Sequence, residues 1–289
     1  MGARSRSSRT RADRPDGQHL LRSAAVAAEL VRDAAVGADD LVLEVGAGDG
    51  RLTAPLVGCA GRVIAVELDP TFTERLRERF GREPHVQVVR GDIRAFALPD
   101  EPFRVFGNIP FGGTNDLLRR LLDDVSGPLV RADLIVQFEA ARKRAEPWPS
   151  TALNLSWLPW WELALARRIP RTGFDPPPSV DAAMLRITRR QPELLDAAHR
   201  PVFVDLVRAG FDRPTWPLVR GLNHLVPPLA WKRFARARGL SIDATPRHLD
   251  VWDWVALFRT LDDVGALNPR RRAPRRSRPR TGGTTPRRS

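Results

Sequence analysis

Four consecutive residues in the stretch "GNIPF", Asn108 to Phe111, combine an amide, a proline and an aromatic ring directly after an apolar run. The side-chain oxygen of Asn108 and the main-chain carbonyl of Ile109 could accept both N–H bonds of a base amine and so localise the nitrogen lone pair. Pro110 fixes the turn that points this carbonyl inward, and the ring of Phe111 offers a face for a base taken out of its stack. These residues could therefore present a base amine for reaction.

Three further candidate groups follow strand-like runs earlier in the chain. Gly46 belongs to "EVGAGDG", a glycine-rich turn that lets the backbone approach a nucleotide-like ligand. Its G-x-G-x-G spacing lacks the pattern that holds a pyrophosphate at a helix N-terminus. Glu67 ends the next strand, where an acid accepts ribose hydroxyls, and Asp92 ends the third, where it could accept from an adenine amine. Glycines and two acids without a phosphate cradle predict S-adenosylmethionine as the cofactor and no metal.

The elements that must position these groups alternate between strand-like and helical patterns. We predict five strands, within "DLVLEVGAG", "GRVIAVELD", "VQVVRGD", "PFRVFGNIP" and "ADLIVQFEA". Helical segments separate them, such as "TFTERLRERFG", which Gly81 closes. This alternation is typical of an α/β fold with a mostly parallel sheet. With the motifs above, it predicts a Rossmann-like S-adenosylmethionine-dependent methyltransferase domain.

After about residue 195 the pattern changes to helices alone, which predicts a small all-α C-terminal domain. The candidates are "PVFVDLVRAGF", "LAWKRFARARG" and "HLDVWDWVALFRTL". In the last helix the apolar positions, predicted to face the core, are Val251, Trp252, Val255 and Leu257. We therefore expect a disordered basic arm (1–16), a methyltransferase domain (17–195), a helical RNA-binding domain (196–265) and a disordered arginine-rich tail (266–289).

The net charge of +13 is concentrated at the ends of the chain and in its C-terminal part. Residues 270–289 contain nine arginines and no acid, and residues 1–16 carry a net charge of +3. Residues 200–260 carry +5, whereas residues 17–199 sum to −2. A GC-rich coding sequence explains the preference for arginine over lysine but not the missing acids in the tail. Charge blocks of this kind indicate disorder and a polyanionic partner, which favours nucleic acid.

Several classes of protein are excluded by composition. The single cysteine, Cys59, excludes an internal disulfide framework and a multi-cysteine metal site. The arginine- and serine-rich start does not resemble a signal peptide. The most apolar later stretch, "ALNLSWLPWWELALA", is interrupted by Pro159 and Glu162, so we predict no membrane span. These features predict a cytoplasmic protein.

Six motifs in this order, "QHLLRS", "EVGAGDG", "VIAVELD", "GDI", "GNIPF" and "FDPPPSVD", resemble the ribosomal RNA adenine dimethyltransferase family over residues 18 to 260. The resemblance implies an S-adenosylmethionine pocket lined by Gly46, Glu67, Asp92 and Asn108, with His19 and Leu21 closing its end. It implies that Asn108 to Phe111 form the catalytic loop and that Phe174 is a second aromatic residue of the base pocket. The family usually has Gln-Asn-Phe where this chain has Gln18, His19 and Leu20. A histidine can still donate to the cofactor's carboxylate, in a pH-dependent way.

Asn-Ile-Pro-Phe is similar to the antibiotic-resistance branch of this family, which modifies one adenine of the large-subunit ribosomal RNA. The resemblance implies methyl transfer to adenine N6 by in-line displacement and resistance to macrolides, lincosamides and streptogramin B. We expect a monomer that acts on large-subunit ribosomal RNA before full assembly. Three alternatives stay open. They are the housekeeping small-subunit dimethyltransferase branch with Asn-Leu-Pro-Tyr, a non-catalytic RNA-binding factor on the same fold, and a DNA adenine methyltransferase.

Overall fold

The structure, a computed structural model, describes residues 19–110, 112–148 and 150–267. In chain order, its strands within these ranges are β1 (Leu20–Leu21), β2 (Leu41–Val45), β3 (Arg62–Glu67), β4 (Val86–Arg90), β5 (Phe103–Asn108), β6 (Leu129–Gln137), β7 (Trp161–Ile169), β8 (Phe174–Asp175) and β9 (Ala182–Arg189). The α-helices are α1 (Ala24–Asp33), α2 (Thr53–Val57), α3 (Pro70–Phe80), α4 (Thr114–Leu122), α5 (Phe138–Ala145), α6 (Ala152–Leu155), α7 (Arg200–Phe211), α8 (Leu218–Gly221), α9 (Pro228–Ala237) and α10 (Val251–Asp263).

A seven-stranded sheet in the order β4-β3-β2-β5-β6-β9-β7 organises the fold. The strands from β4 to β6 are parallel, whereas β9 and β7 run antiparallel to their neighbours. The chain moves outward from β2 to β4 and then crosses back to β5, on the other side of β2. This reversal creates a switch point between the carboxyl ends of β2 and β5, where open α/β sheets bind ligands. The predicted α/β fold with a mostly parallel sheet is confirmed.

Alternate residues of the central strands pack on opposite faces of the sheet, as strand geometry requires. On β2, Leu41, Leu43 and Val45 join a buried cluster that contains the leucines of α4. Val42 joins a second cluster on the other face, which includes buried residues of α1. Helices therefore cover both faces, and the strand ends are left to form the site.

Local signals in the sequence explain where α3 begins and ends. The Asp69 side chain accepts hydrogen bonds from the main-chain nitrogens of Thr71 and Phe72, at 2.7 and 3.0 Å. Such a cap, followed by proline at the first helical position, begins a helix. The helix ends at Phe80, before Gly81, as the sequence predicts.

Four strands and one strand end differ from the sequence prediction, and two of these strands are the short β1 and β8. Strand β6 ends at Gln137, and Phe138 begins helix α5 instead of extending the strand. Strands β7 and β9 were not predicted, although β7 alternates between buried and exposed residues along much of its length. The sequence of β7 is rich in alanine, leucine and arginine and has a single β-branched residue, Ile169. Its composition is therefore not typical of a strand. None of the helices in the described ranges is long and apolar enough to cross a membrane.

The C-terminal helices pack against the same core as the sheet. The rings of Trp160 and Phe203 meet edge-on, with their centroids 6.0 Å apart. The buried cluster is continuous across residue 195, so the division into domains at that point stays a prediction. Residues 1–18 and 268–289, which contain the predicted arm and nearly all of the tail, lie outside the described residues.

One predicted core position in α10 is wrong. Val251, Val255 and Leu257 are buried, but Trp252 is 52% exposed and Trp254 is fully buried in its place. The reason is helical spacing, because positions three and four apart share one face. Trp254 lies three residues after Val251, whereas Trp252 points away from it.

Replacing Gly107 of β5 by alanine should destabilise the protein. A Cβ atom at this position would lie 2.5 Å from the main-chain oxygen of Val45 on β2, and the paired strands cannot separate without losing ladder contacts. We expect Gly107→Ala to lower the free energy of unfolding by about 1–3 kcal/mol, measured by denaturant titration. Gly221→Ala is the matched control, because a Cβ atom there has no neighbour within 4 Å. Equal stability of the two variants would contradict the prediction.

Candidate active site

A cavity of about 410 Å³ opens at the switch point between β2 and β5. This volume is within the range of small-molecule sites. The turns after β2, β3, β4 and β5 all contribute to its lining: His19, Leu20, Val45, Gly46, Gly48, Val66, Glu67, Leu68, Gly91, Asp92, Ile93, Arg94, Asn108, Ile109, Pro110, Gly112, Gly113, Asp116 and Leu117. The structure thus brings together five predicted site residues with Ile109 and Pro110 of the predicted catalytic loop.

The glycine turn after β2 forms one wall of the cavity. Gly46, Gly48 and Gly50 have φ values of +70°, +55° and +79°, which side chains other than glycine rarely adopt. A Cβ atom on Gly48 would also lie 3.0 Å from the Leu20 side chain. The turn therefore needs glycine both for its conformation and for the close approach of the backbone to the cavity.

Glu67 holds the neighbouring turns in place from a buried position. This residue is only 4% exposed. One carboxylate oxygen accepts from the main-chain nitrogen of Gly48 at 2.8 Å, and the other accepts from that of Asp69 at 2.9 Å. The carboxylate is thus fixed at the cavity wall, and each oxygen keeps a second lone pair for another donor.

Asp92 lies in the cavity lining but is already paired. Arg94 donates to both of its carboxylate oxygens, through Nε at 3.0 and 2.9 Å and through Nη2 at 2.6 Å. These side-chain bonds, with a further one from the Arg94 main chain, lower the pKa of Asp92. An adenine amine would therefore have to share this carboxylate with Arg94 or displace it.

The orientation of the Asn108 amide is set by the N-terminal segment. Its Nδ2 donates to the main-chain oxygen of His19 at 2.6 Å. The Nδ1 atom of His19 lies 2.8 Å from the main-chain oxygen of Pro176, which can only accept, so Nδ1 carries a proton. This nitrogen is engaged by the protein, so the pH-dependent donation predicted for His19 would have to come from Nε2. The Oδ1 atom of Asn108 has no donor among the described residues.

Leu21 and Phe174 do not line the cavity. They pair with each other in the two-stranded sheet of β1 and β8, and they are only 3% and 0% exposed. Leu20, not Leu21, reaches the cavity, because successive side chains of a strand point to opposite sides. The prediction that Phe174 presents a ring to the base is not met in this structure, since the whole side chain is buried. Phe111 lies outside the described residues.

Sequence reasoning missed the apolar part of the lining. Leu68, 61% exposed, and Ile93 follow Glu67 and Asp92 directly and could pack against a flat ring. Apolar residues carry no chemical signal in a sequence, but their place next to a strand-end acid could have identified them. In the described ranges, no three His, Cys, Asp or Glu side chains are grouped as a metal site requires.

Glu44 is a buried acid beneath the glycine turn that the sequence did not single out. It is fully buried, and neither carboxyl oxygen has a hydrogen-bond partner among the described residues. Burial is the main cause that raises the pKa of Glu44 to about 8. Thr53 opposes this rise, and the Glu67 and Asp49 carboxylates add to it. Glu44 is therefore mostly neutral at pH 7 in the folded protein.

The sheet order, the glycine turn and the strand-end acids define an S-adenosylmethionine-dependent methyltransferase fold. Residues 9–263 match the ribosomal RNA adenine dimethylase family. The chain belongs to this family and is an rRNA adenine N6-methyltransferase, as the sequence predicts.

Relatives and solved structures are similar over most of the chain. An rRNA adenine N-6-methyltransferase of Bacillus licheniformis is 31% identical over 85% of this chain and 85% of its own length. The mycinamicin-resistance protein MyrB of Micromonospora griseorubida is 38% identical over 86% of this chain and 78% of its own. The 23S rRNA methyltransferase ErmE has a similar structure, with a TM-score of 0.76 and 28% identity over 84% of this chain and 99% of its own.

Stability should fall with rising pH because of Glu44. The folded protein holds this proton with a pKa of about 8, against 4.5 for an exposed glutamate. Stability from Glu44 is therefore fully present below about pH 4.5 and lost as the pH rises through 8, by at most about 1.4 kcal/mol per pH unit.

Glu44→Gln should remove this decline, because glutamine does not ionise. Free energies of unfolding of both proteins at several values from about pH 5 to pH 9 test this. The free energy of unfolding of the variant minus that of the wild type should rise toward high pH. A constant difference would show that burial of Glu44 does not shift its titration.

Proposed function

We propose that this chain methylates N6 of one adenine in large-subunit (23S) ribosomal RNA and so confers resistance to macrolides, lincosamides and streptogramin B. The relatives MyrB and ErmE support the target and the resistance, since MyrB is a mycinamicin-resistance protein and ErmE is a 23S rRNA methyltransferase. The Asn-Ile-Pro-Phe stretch supports the same branch. We further propose that the protein acts as a monomer on RNA that is not yet fully assembled.

The residues of the cavity fit S-adenosylmethionine. Gly46 and Gly48 bring the main chain to the cavity wall, and the fixed Glu67 carboxylate can accept ribose hydroxyls. Leu68 and Ile93 offer apolar walls for an adenine ring. When bound, S-adenosylmethionine would supply an electrophilic methyl group on its sulfonium sulfur. As the amine nitrogen bonds to this methyl carbon, the carbon–sulfur bond would break and the sulfur would leave as a neutral thioether.

The amide orientation of Asn108 is the observation that carries the proposal. Because Nδ2 donates to the His19 main-chain oxygen at 2.6 Å, the amide presents Oδ1 as an acceptor at the cavity. An acceptor there can take one N–H bond of an adenine amine, which favours a pyramidal nitrogen with a localised lone pair. The product nitrogen, once methylated, is acidic enough to lose its proton to water. The contribution of the chain is therefore mainly positioning.

The substrate is tested by offering labelled S-adenosylmethionine to deproteinised large- and small-subunit ribosomal RNA and mapping methylated adenines by mass spectrometry. We expect one modified adenine, in the large-subunit RNA. Two adjacent adenines near the end of the small-subunit RNA would show a housekeeping enzyme instead. No label in either RNA would favour a non-catalytic RNA-binding factor.

Asn108→Ala should reduce methyl transfer by at least about 10²-fold, because the oriented acceptor is lost. S-adenosylmethionine binding, measured by calorimetry, should remain detectable, since the glycine turn and Glu67 are unchanged. Asn108→Asp is the informative partner variant, because its carboxylate keeps an acceptor but cannot donate to the His19 oxygen. Full activity of Asn108→Ala would refute the positioning role.

A further inference from the structure

Two tryptophans, Trp148 and Trp216, are exposed although most tryptophans of this chain are not. Their exposed fractions are 47% and 44%, whereas five of the eight tryptophans are completely buried. Trp148 lies between α5 and α6, and Trp216 lies just before α8. Large aromatic side chains that are exposed to solvent are candidates for a binding surface.

Trp148 lines a shallow depression that joins the two parts of the chain, and Pro214 and Thr215, the two residues before Trp216, also line it. We name it the Trp148 depression, and its lining is Trp148, Pro214, Thr215, Thr245, Arg247 and His248. Ser150 connects its two sides, because its Oγ donates to the main-chain oxygen of Leu249 at 2.7 Å. The depression thus combines an aromatic face from the catalytic part with polar and basic groups from the helical part.

Arg247 in this depression, and Arg213 directly before Pro214 of its lining, differ from many arginines of the described residues. Arg142 lies between Glu139 and Glu146, and many other arginines also form ion pairs. In contrast, no carboxylate of the described residues lies within 4.0 Å of Arg247 or Arg213. Arg213 instead stacks over Trp216, with its guanidinium carbon 4.1 Å from the ring centroid. Unpaired guanidinium groups beside exposed rings suit a ligand that has both flat rings and negative charge.

The depression lies close to the catalytic edge. The Arg144 Nη2 atom donates to Oδ1 of Asn115 at 2.9 Å. Asn115 is in the first turn of α4, two residues after Gly113 of the cavity. Trp148 follows Arg144 by four residues, which span at most about 14 Å of extended chain. The segment that carries Trp148 is thus connected, through Arg144, to the helix at the edge of the cavity.

We propose that the Trp148 depression binds an unpaired nucleotide of the RNA whose adenine enters the cavity, with the base stacked on Trp148 and a phosphate at Arg247. The inference rests on the proposed function, because it takes the substrate to be RNA. Bases outside a duplex expose their faces and can stack on aromatic side chains, whereas paired bases cannot. The net charge of +5 over residues 200–260 complements the phosphates.

Direct binding of labelled RNA to the full-length protein tests this site. We expect Trp148→Ala to weaken binding of a single-stranded RNA oligonucleotide about tenfold, with Trp148→Phe retaining most of the affinity. Binding of a fully paired duplex of the same sequence should be unchanged. Arg247→Ala should reduce the salt dependence of single-stranded binding by about 0.7 in log–log slope, whereas Trp148→Ala should leave that slope unchanged.

Trp252→Ala is the matched control, because Trp252 is 52% exposed and is not part of the depression. Equal RNA affinity of the wild type, Trp148→Ala and Trp252→Ala would overturn the proposal, and so would an equal loss for single-stranded and duplex RNA. Binding is measured without methyl transfer, so a failure of this site and a failure of the proposed methylation give distinguishable results. In methylation assays, Trp148→Ala should raise KM for RNA and leave kcat and the KM for S-adenosylmethionine unchanged.

Discussion

The hydrogen bond from the Asn108 amide to the main-chain oxygen of His19 connects segments that are far apart in the sequence. An amide has one donating and one accepting end, and a carbonyl partner can use only the donating end. His19 is itself held by Pro176, through its Nδ1 atom at 2.8 Å. The segment before α1 and the proline-rich segment after β8 therefore act together, through His19, to orient the amide of the candidate catalytic residue.

This connection gives Leu21 and Phe174 a physical role that differs from the predicted one. Pairing of β1 with β8 places Leu21 opposite Phe174, and both are buried in the cluster that also contains Met184 of β9. Burial of a leucine and a phenylalanine stabilises the pair by several kcal/mol relative to exposure, on the order of 1.5–3 kcal/mol each. Their pairing fixes strand β1, which begins directly after His19, and Leu20 of this strand lines the cavity.

The sequence was sufficient for the parallel part of the sheet and for the polar groups at its edge. Strong apolar runs mark β2, β3, β5 and β6. Gly46, Glu67, Asp92 and Asn108 could be predicted as one site because the carboxyl ends of parallel strands lie at the same edge of a sheet. Strand β7 was missed because "WELALARRI" has the composition of a helix and becomes a strand only through pairing with β9. The engagement of Asp92 by Arg94 and the burial of Glu44 depend on three-dimensional neighbours, which spacing does not reveal.

The charge of the protein is distributed unevenly between the two parts of the chain, in a way that suits a large polyanionic substrate. Residues 17–199 contain the cavity and sum to −2, whereas residues 200–260 carry +5. The cavity lining contains the acids Glu67, Asp92 and Asp116 against Arg94, so its charge disfavours phosphates, and the basic residues 200–260 are better suited to hold the RNA backbone. The buried cluster that crosses residue 195 keeps the basic helices next to the catalytic sheet. The described residues of the C-terminal helices are absent from the cavity lining, so their packing places basic charge beside the sheet without adding a group to the cavity.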